Sequence, residues 1–192
     1  MTDCVNPCAD IAVAILAAGL GRRFGSDKLM VPLDGFPLGA HIARTVAPMG
    51  FGWRFAVCAE DAPIAVHFSA LDFDIIVNEE PHLGQALSLH LAVAAAEQTT
   101  ATALLVVLAD MPFVSAAHIV RISQCSALAA SHNGAASMPP GLFPRMCWPD
   151  LLKTRGDAGA RPLLGAAQMV HATVDELRDI DARADLPRAH VP

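Results

Sequence analysis

The chain has 192 residues, of which 54% are hydrophobic and 17% charged, and its formal net charge is -6. This length and composition indicate one compact domain with a continuous core and exclude a disordered chain. The acidic balance argues against a broad nucleic-acid surface, which needs many cations to neutralise phosphates, so any anion must bind at a local basic patch.

The first two thirds of the chain alternate between short apolar runs and helical periodicity. Strands are predicted at DIAVAILAA (10–18), WRFAVCA (53–59), FDIIVN (73–78) and TALLVVLAD (102–110). Helices are predicted at PLGAHIARTVAPMG (37–50), DAPIAVHFSAL (61–71), GQALSLHLAVAAAEQ (84–98) and SAAHIVRISQCSALAA (115–130). Because parallel strands need crossover connections and each helix covers one face of the sheet, this order predicts an α/β fold. The expected architecture is a Rossmann-like three-layer α/β/α sandwich with a mostly parallel sheet.

Apolar spacing within the helices predicts which faces are buried. The buried stripes are expected at Leu38, Ile42 and Val46 in the first helix and at Leu87, Leu91 and Ala95 in the third. Ser115 is the expected N-cap of the fourth helix.

The rhythm changes after about residue 131. HNGAASMPPGLFPRMCWPDLL (132–152) is rich in Gly, Pro and aromatic residues, which predicts irregular strand and loop. A short helix is predicted at GDAGARPLLGAA (156–167), a strand at MVHATV (169–174) and an acidic tail segment at DELRDIDARADLP (175–187). We expect a single domain over residues 1–192, with residues 131–192 inserted over the edge of the sheet, where a substrate would lie.

The apolar runs, the first residues and the cysteines indicate where in the cell the protein is expected. The runs IAVAILAAGLG (11–21) and ALLVVLAD (103–110) fall short of the ~20 residues of a spanning helix. The first ten residues carry acids where a signal peptide carries Lys or Arg, so a cytoplasmic protein is expected. Five cysteines and no secretion signal predict reduced thiols. Cys4 and Cys8 lack a second pair at zinc spacing, and none of the histidines is assigned to a metal.

A glycine-rich, basic stretch, ILAAGLGRRFGSDK (15–28), follows the first strand. Its glycines allow the backbone to approach an anion closely, and its cations add positive charge; these residues are Gly19, Gly21, Gly25, Arg22, Arg23 and Lys28. The stretch fits neither the P-loop GxxxxGK[ST] nor the dinucleotide fingerprint GxGxxG. On these residues alone, a phosphate cradle and a basic surface turn both remain open.

Asp110 stands at the end of the fourth predicted strand, directly after an apolar run. In an open α/β sheet, ligands bind at the carboxyl ends of the strands. A carboxylate there is well placed to hold Mg²⁺, which prefers one or two protein carboxylates together with substrate phosphates. The alternative is that Asp110 only caps the turn before Pro112.

Four segments in this order resemble the MobA-like nucleotidyltransferases. LAAGLGRRFGSDKLMVPLDGFPL (16–38) is similar to the signature LAAGxxxRxGxxK followed by GxPL, and VVLADMPFVS (106–115) is similar to the LADxP metal segment. Within the family, GDAGARPLL (156–164) and DIDARADL (179–186) are most similar to the MocA branch, which makes molybdopterin cytosine dinucleotide. The resemblance covers nearly the whole chain and implies a fold of the nucleotide-diphospho-sugar transferase type.

The resemblance implies roles for individual residues, with a nucleotide-binding part at about 10–130 and an acceptor part at about 131–192. Nucleotide binding is implied for Leu16, Ala17, Ala18, Gly19, Gly21, Arg22, Arg23, Gly25, Lys28, Asn78, Gly84 and Ser88, the last three framing the base. Lys28, Arg23 and Asp110 are the implied catalytic residues. Asp110 and Asp181 are the implied Mg²⁺ ligands, with Asp179 as a further candidate. Asp157 and Arg161 are implied to face the second substrate.

The implied activity is a Mg²⁺-dependent transfer of CMP from CTP to the phosphate of molybdopterin, with release of pyrophosphate. Transfer of GMP from GTP, or transfer to a sugar phosphate or another small phosphate, remains open; LAAG in place of LAGG favours the cytidylyl branch. This sequence departs from the family at Met138, where a glycine is usual, and at GQALS (84–88), where GMxSS is usual. DIDARADL also lacks the usual Thr-Pro.

The sequence argues against two other classes of protein. A nicotinamide-dependent oxidoreductase would carry an acid ~20 residues past the glycine loop, but residues 39–55 contain none. A non-catalytic carrier of the pterin cofactor, delivering it to a molybdoenzyme, would leave Lys28 and Asp110 unexplained. The sequence therefore favours the transferase.

Overall fold

Nine strands and six α-helices form the regular structure of residue 6, residues 8–19 and residues 27–186, which are the residues that the computed structural model describes. The strands are β1 (Ile11–Ala17), β2 (Pro32–Leu33), β3 (Phe36–Pro37), β4 (Trp53–Ala59), β5 (Asp74–Asn78), β6 (Ala103–Leu108), β7 (Ala129–His132), β8 (Ser137–Pro144) and β9 (Gln168–His171). The helices are α1 (Ala40–Val46), α2 (Ala65–Ser69), α3 (Gln85–Glu97), α4 (Ala116–Ser123), α5 (Trp148–Leu151) and α6 (Arg161–Leu164).

The central sheet has seven strands in the order β5-β4-β1-β6-β8-β7-β9. β1 pairs in parallel with both β4 and β6, so that Ala14 stands beside Phe55 on one side and Val106 on the other. β4 with β5 and β7 with β9 are also parallel pairs, whereas β8 runs antiparallel to β6 and to β7. β2 and β3 form a separate antiparallel hairpin. The prediction of a mostly parallel sheet is confirmed.

Apolar layers cover both faces of this sheet. Alternate residues of β1 enter different layers: Val13 and Ile15 belong to the first core, and Ala12 and Ala14 to the second. Helices α1, α2 and α4 supply residues to the first core, and α3, α5 and α6 to the second. All of β1 is buried, as expected for a parallel strand covered on both faces. The three-layer sandwich is therefore confirmed.

The predicted buried stripe is confirmed for α1 and wrong for α3. Leu38, Ile42 and Val46 are fully buried. On α3, Leu87, Leu91 and Ala95 are only half-buried, and the buried residues are Ala86, Ser88, Leu89, Ala92, Val93 and Ala96. Because α3 is apolar on nearly every side, the spacing does not select one face, and the side with more alanine packs against the sheet.

The C-terminal third extends the sheet instead of lying over its edge, which corrects the sequence-based expectation. The helix predicted at 115–130 ends at Ser123, although Ser115 caps it as predicted by accepting the N–H of His118 at 3.1 Å. Residues 129–132 form β7, and β8 pairs with β6 from Ala103 to Val106. β8 is hard to recognise from the sequence because it contains prolines, which lack the N–H group that donates a hydrogen bond to the neighbouring strand. The β7–β8 pairing accommodates them with a register shift between Ala130 and Ser131.

None of the helices in the described ranges is long and apolar enough to cross a membrane.

Candidate active site

A cleft of about 410 Å³ opens at the carboxyl ends of β1 and β6. It is lined by Leu16, Ala17, Ala18, Gly19, Lys28, Leu29, Pro81, His82, Gly84, Gln85, Ser88, Leu108, Ala109, Asp110, Asp157 and Asp181. One wall, which we call the charged wall, contains Lys28, Asp110 and Asp181. The opposite wall, which we call the glycine wall, contains residues 81–88 and the loop 156–159. The charged wall adjoins the first core through Leu29 and Ala109, and the glycine wall adjoins the second core through Leu89 and Ala160.

Lys28 lies between two carboxylates on the charged wall. Its Nζ donates to Asp110 Oδ2 at 2.7 Å and to Asp181 Oδ1 at 3.2 Å. Only 12% of the Lys28 side chain is exposed, against 54% of Asp181. The sequence left open whether Asp110 holds Mg²⁺ or caps the turn before Pro112; in the structure its carboxylate is paired with Lys28.

Lys28 is held in place by its neighbours in the chain. It begins a 3-10 turn, Lys28–Met30, in which the carboxylate of Asp27 accepts the N–H of Leu29 at 3.1 Å. Leu29 is buried, and its carbonyl accepts the N–H of Gly39 at 3.0 Å, just before α1 begins. The turn is thus fastened to the first core, which leaves the ammonium group directed to the cleft.

Asp181 reaches the same place because the C-terminal segment, residues 173–181, folds back onto the end of β6. The N–H of Ile180 donates to the carbonyl of Asp110 at 2.9 Å, and the side chain of Ile180 is fully buried. Both the N–H and the hydroxyl of Ser115 donate to Glu176. Arg178 lies over the ring of Phe113, 4.8 Å from its centre. These contacts connect the C-terminal segment to residues 110–115.

The ionisation of the charged wall follows from these contacts. Burial alone would lower the pKa of Lys28, but the charges of Asp110 and Asp181 and their hydrogen bonds raise it above its ordinary value. Lys28 is therefore protonated at neutral pH. Partial burial, followed by repulsion from Asp181 and Asp110, raises the pKa of Asp179.

The carboxylates of this wall fit a divalent cation that also binds substrate phosphates. Asp110 Oδ1 is buried and has no hydrogen-bond partner among the described residues, so one oxygen of this carboxylate is left for a ligand. No cluster of three or more His, Cys, Asp or Glu side chains suited to a metal occurs within residues 8–19 and 27–186. Mg²⁺ does not require one, because it takes one or two protein carboxylates and completes its shell with water and phosphate oxygens.

The glycine wall is built by close backbone contact. Gly84 has φ +96°, and a Cβ at this position would lie 2.7 Å from the carbonyl oxygen of Gly156. Gly159, with φ +52°, leaves room for the side chain of Gln85, whose Cδ would be 3.0 Å from a Cβ there. Only glycine permits both the backbone conformation and the approach at these two positions. The loop 156–159 is thereby brought against the start of α3, and Asp157 enters the cleft.

Asn78 and Ser88 support the start of α3 from below the glycine wall. Asn78, at the end of β5, is fully buried and donates from Nδ2 to Ser88 Oγ at 2.9 Å. Its Oδ1 accepts the N–H of Glu80 at 3.0 Å. Ser88 lines the cleft, whereas Asn78 lies behind it. The pair therefore fixes the loop between β5 and α3 with a satisfied, buried polar contact.

The structure brings together most of the residues selected from the sequence. Ten of them line the cleft: Leu16, Ala17, Ala18, Gly19, Lys28, Gly84, Ser88, Asp110, Asp157 and Asp181. Arg161 is exposed at the start of α6 and does not line it. Gly21, Arg22, Arg23 and Gly25 lie outside the described residues, as does Cys4. The roles assigned to these residues stay predictions.

Six lining residues were missed: Leu29, Pro81, His82, Gln85, Leu108 and Ala109. Three of them, Leu29, Leu108 and Ala109, stand next to Lys28 or Asp110 in the chain, and this proximity is the signal that could have identified them. Pro81 and His82 belong to the 3-10 turn Pro81–Leu83 that leads into Gly84. Gln85 belongs to GQALS (84–88), and its one signal in the sequence is that the family pattern GMxSS has methionine at this position.

Comparison with known proteins identifies the family of this chain. The family model described as MobA-like NTP transferase domain matches residues 13–173. The purine catabolism protein PucB of Bacillus subtilis is 31% identical over 175 residues, which are 85% of this chain and 85% of that protein.

Solved structures share the fold at lower identity. A nucleotidyl transferase from Methanothermobacter superposes with a TM-score of 0.78 at 22% identity, over 91% of this chain and 93% of its own. The molybdopterin-guanine dinucleotide biosynthesis protein A of Archaeoglobus fulgidus gives a TM-score of 0.61 at 19% identity, over 91% and 94% of the two chains. The family match over residues 13–173 shows that the chain belongs to the MobA-like NTP transferases and is a nucleotidyltransferase.

Proposed function

We propose that this protein is a Mg²⁺-dependent cytidylyltransferase that transfers CMP from CTP to the phosphate of molybdopterin and releases pyrophosphate. The observation that carries the proposal is Lys28 held between Asp110 and Asp181 at the carboxyl edge of the sheet. One largely buried cation and two carboxylates facing a cleft suit a reaction in which charge moves between phosphates.

In the proposed reaction, an oxygen of the acceptor's phosphate forms a bond to the α-phosphorus of the nucleotide. The bond between the α-phosphorus and the bridging oxygen breaks, and pyrophosphate leaves with that electron pair. A phosphate monoester has a second pKa of ~6, so the attacking group is largely dianionic at neutral pH. The reaction therefore needs no general base from the protein.

Lys28 would act by charge. Because Asp110 and Asp181 keep its ammonium protonated and fixed in direction, it can donate to a phosphate oxygen without reorganising when negative charge develops. Asp110, through its unpartnered Oδ1, and Asp181 would hold Mg²⁺, which supplies neutralisation of the phosphate charge when bound. Arg23 would add a second cation on the triphosphate.

In this proposal the two substrates bind at neighbouring parts of the cleft. Residues 16–19 and the Asn78–Ser88 pair would frame the base and ribose of the nucleotide. Asp157 and Arg161, from the segment that resembles the MocA branch, would face the acceptor. The preference for CTP rests on LAAG at residues 16–19 and on the segments 156–164 and 179–186.

Calorimetric titration with CTP, GTP, ATP and UTP, each with and without Mg²⁺, tests the nucleotide. Pyrophosphate release in the presence of molybdopterin then tests the transfer. CTP binding that Mg²⁺ strengthens, with CTP-dependent pyrophosphate release, is the expected result. A preference for GTP would replace the cytidylyl assignment by a guanylyl one, and the absence of nucleotide binding would contradict the proposal as a whole.

A further inference from the structure

Two polar side chains in the first turn of α3 have different surroundings. Ser88 is hydrogen-bonded to Asn78 on the side of β5. Gln85 lies against Gly159, and its carboxamide has no hydrogen-bond partner within residues 8–19 and 27–186. Both side chains line the cleft, but Gln85 belongs to the part of it that the loop 156–159 builds.

Gln85 lies in the space left open because Gly159 has no Cβ, since a Cβ there would collide with Gln85 Oε1. The Gln85 side chain is half-buried, and no described residue uses the donor or the acceptor of its carboxamide. Both groups can therefore form hydrogen bonds to a ligand in the cleft. The carboxamide can donate to one atom of that ligand and accept from the next.

Asp157 gives this corner of the cleft its charge. It is exposed, lines the same cleft and forms no ion pair in the part of the chain that the structure describes. Lys28 is the only lysine or arginine among the lining residues that the structure describes, and it stands on the opposite wall. A phosphate placed beside Asp157 would be repelled, whereas N–H groups would be attracted.

We propose that Gln85 and Asp157 form a subsite for an uncharged heterocycle that presents N–H groups, and that this heterocycle belongs to the acceptor. The acceptor's phosphate then points across the cleft to Lys28. This inference rests on the proposed transferase function and adds to it the orientation of the acceptor and a specificity-determining residue, Gln85. A guanine base of the nucleotide presents the same kind of edge, so the experiment must distinguish the two sources.

The kinetic experiment compares Gln85→Met with the wild type, with Gln124→Met as the control, since Gln124 is exposed at the end of α4. Apparent KM is measured separately for molybdopterin and for the nucleotide. Loss of one or two hydrogen bonds is expected to raise KM for molybdopterin ~5- to 20-fold and to leave KM for the nucleotide within about twofold. A rise in KM for the nucleotide alone would assign Gln85 to the base and overturn the proposal. The proposal is also overturned if neither KM changes.

A binding measurement with a pterin alone tests the subsite independently of the transfer activity. The fluorescence of 6-hydroxymethylpterin is titrated with wild type, Gln85→Met, Gln85→Glu and Asp157→Asn, after each variant is shown to unfold cooperatively. Asp157→Asn is expected to weaken pterin binding about tenfold, because the negative charge is lost and one of the two acceptor oxygens is replaced by an NH₂ donor. Tighter binding in Asp157→Asn, or no binding by the wild type, overturns the subsite. Pterin binding without nucleotide transfer would contradict the proposed function while supporting the subsite.

Discussion

The two walls of the cleft are assembled by opposite means. The charged wall brings Lys28, Asp110 and Asp181 together from three distant parts of the chain through ion pairs of 2.7 Å and 3.2 Å. The glycine wall brings Gly84 against Gly156 and Gly159 against Gln85, with backbone approach in place of charge. The ion pairs of Lys28 and the close backbone contact of Gly84 are therefore separated in space, because the charged wall adjoins the first core and the glycine wall adjoins the second.

This separation predicts two kinds of response to substitution. Changes in the charged wall should reduce turnover with little effect on the fit of the substrates. Changes in the glycine wall should alter stability and substrate binding while leaving the ion pairs of Lys28 intact. Three of the predictions that follow test this division, and the fourth tests how the C-terminal segment is attached beside the charged wall; they run from the largest expected effect to the smallest.

Asp110→Ala is expected to abolish turnover. It removes the carboxylate with the unpartnered oxygen and also the closer partner of Lys28. Removal of a single charge stabiliser already reduces turnover by a factor of ~10² or more, and this change removes two functions. Steady-state pyrophosphate release is the measurement, with Asp74→Ala, an exposed carboxylate on β5, as the control. Full retention of transfer by Asp110→Ala would exclude the metal assignment.

Lys28→Ala is expected to lower kcat by ~10²-fold and to raise KM for the nucleotide by less. The ammonium would act on charge that develops during transfer, so its loss affects the transition state more than the ground state. Lys153→Ala is the matched control, because Lys153 pairs with Asp150 on the exposed surface. A rise in KM with unchanged kcat would make Lys28 a binding residue only.

Gly84→Ala is expected to destabilise the fold by ~1–3 kcal/mol and to weaken acceptor binding. The alanine would have a strained backbone and would also push the loop 156–159 away, which displaces Asp157. Gly134→Ala is a close control, since Gly134 has φ +95° against +96° for Gly84 but nothing within 4 Å of a Cβ. Thermal unfolding should show a larger loss for Gly84→Ala, and equal losses would mean that the contact with Gly156 contributes nothing.

Glu176→Gln is expected to lower Tm at pH 7 by only a few degrees, because it weakens hydrogen bonds worth about 1 kcal/mol each. Partial burial alone would raise the pKa of Glu176, but the hydrogen bonds from Ser115 hold it below its ordinary value. The stabilisation by Glu176 is therefore complete at neutral pH and is lost as pH falls through the folded-state pKa.

The difference in Tm between wild type and Glu176→Gln should accordingly shrink on acidification. Glu60→Gln, an exposed glutamate, is the control. Hydrogen exchange at the Ile180 amide gives a second measurement, because this amide donates to Asp110. Faster exchange at Ile180 would connect Glu176 to the position of Asp181, whereas unchanged exchange would limit Glu176 to a local role.

The strands behind the charged wall, and the position of Asp110 at the end of one of them, could be predicted from the sequence. An apolar run followed by a single acid indicates a buried strand that ends in a polar residue at the edge of the sheet, and β1 and β6 are buried strands of this kind. The strand predicted at 53–59 is confirmed, because β4 has the same bounds. Lys28 and Asp181 were expected beside Asp110 only from the family resemblance, because residues 82 and 153 positions apart leave no local pattern.

The glycine wall and the C-terminal strands were harder to predict for physical reasons. The contact of Gly84 with Gly156 joins residues 72 positions apart and leaves no periodic pattern in either segment. β8 contains three prolines, which local rules exclude from a strand inside a sheet. On α3, alanine and leucine occupy nearly all sides, so only packing on the sheet decides which face is buried.

The members of the charged wall stand far apart in the chain, which has a consequence for folding during synthesis on the ribosome. They are separated by 82 residues between Lys28 and Asp110 and by 153 between Lys28 and Asp181. Strands β1 and β6 can emerge from the ribosome and pair before residue 181 has been synthesised. The ion pair between Lys28 and Asp110 can therefore form first, and Asp181 joins it in a later step.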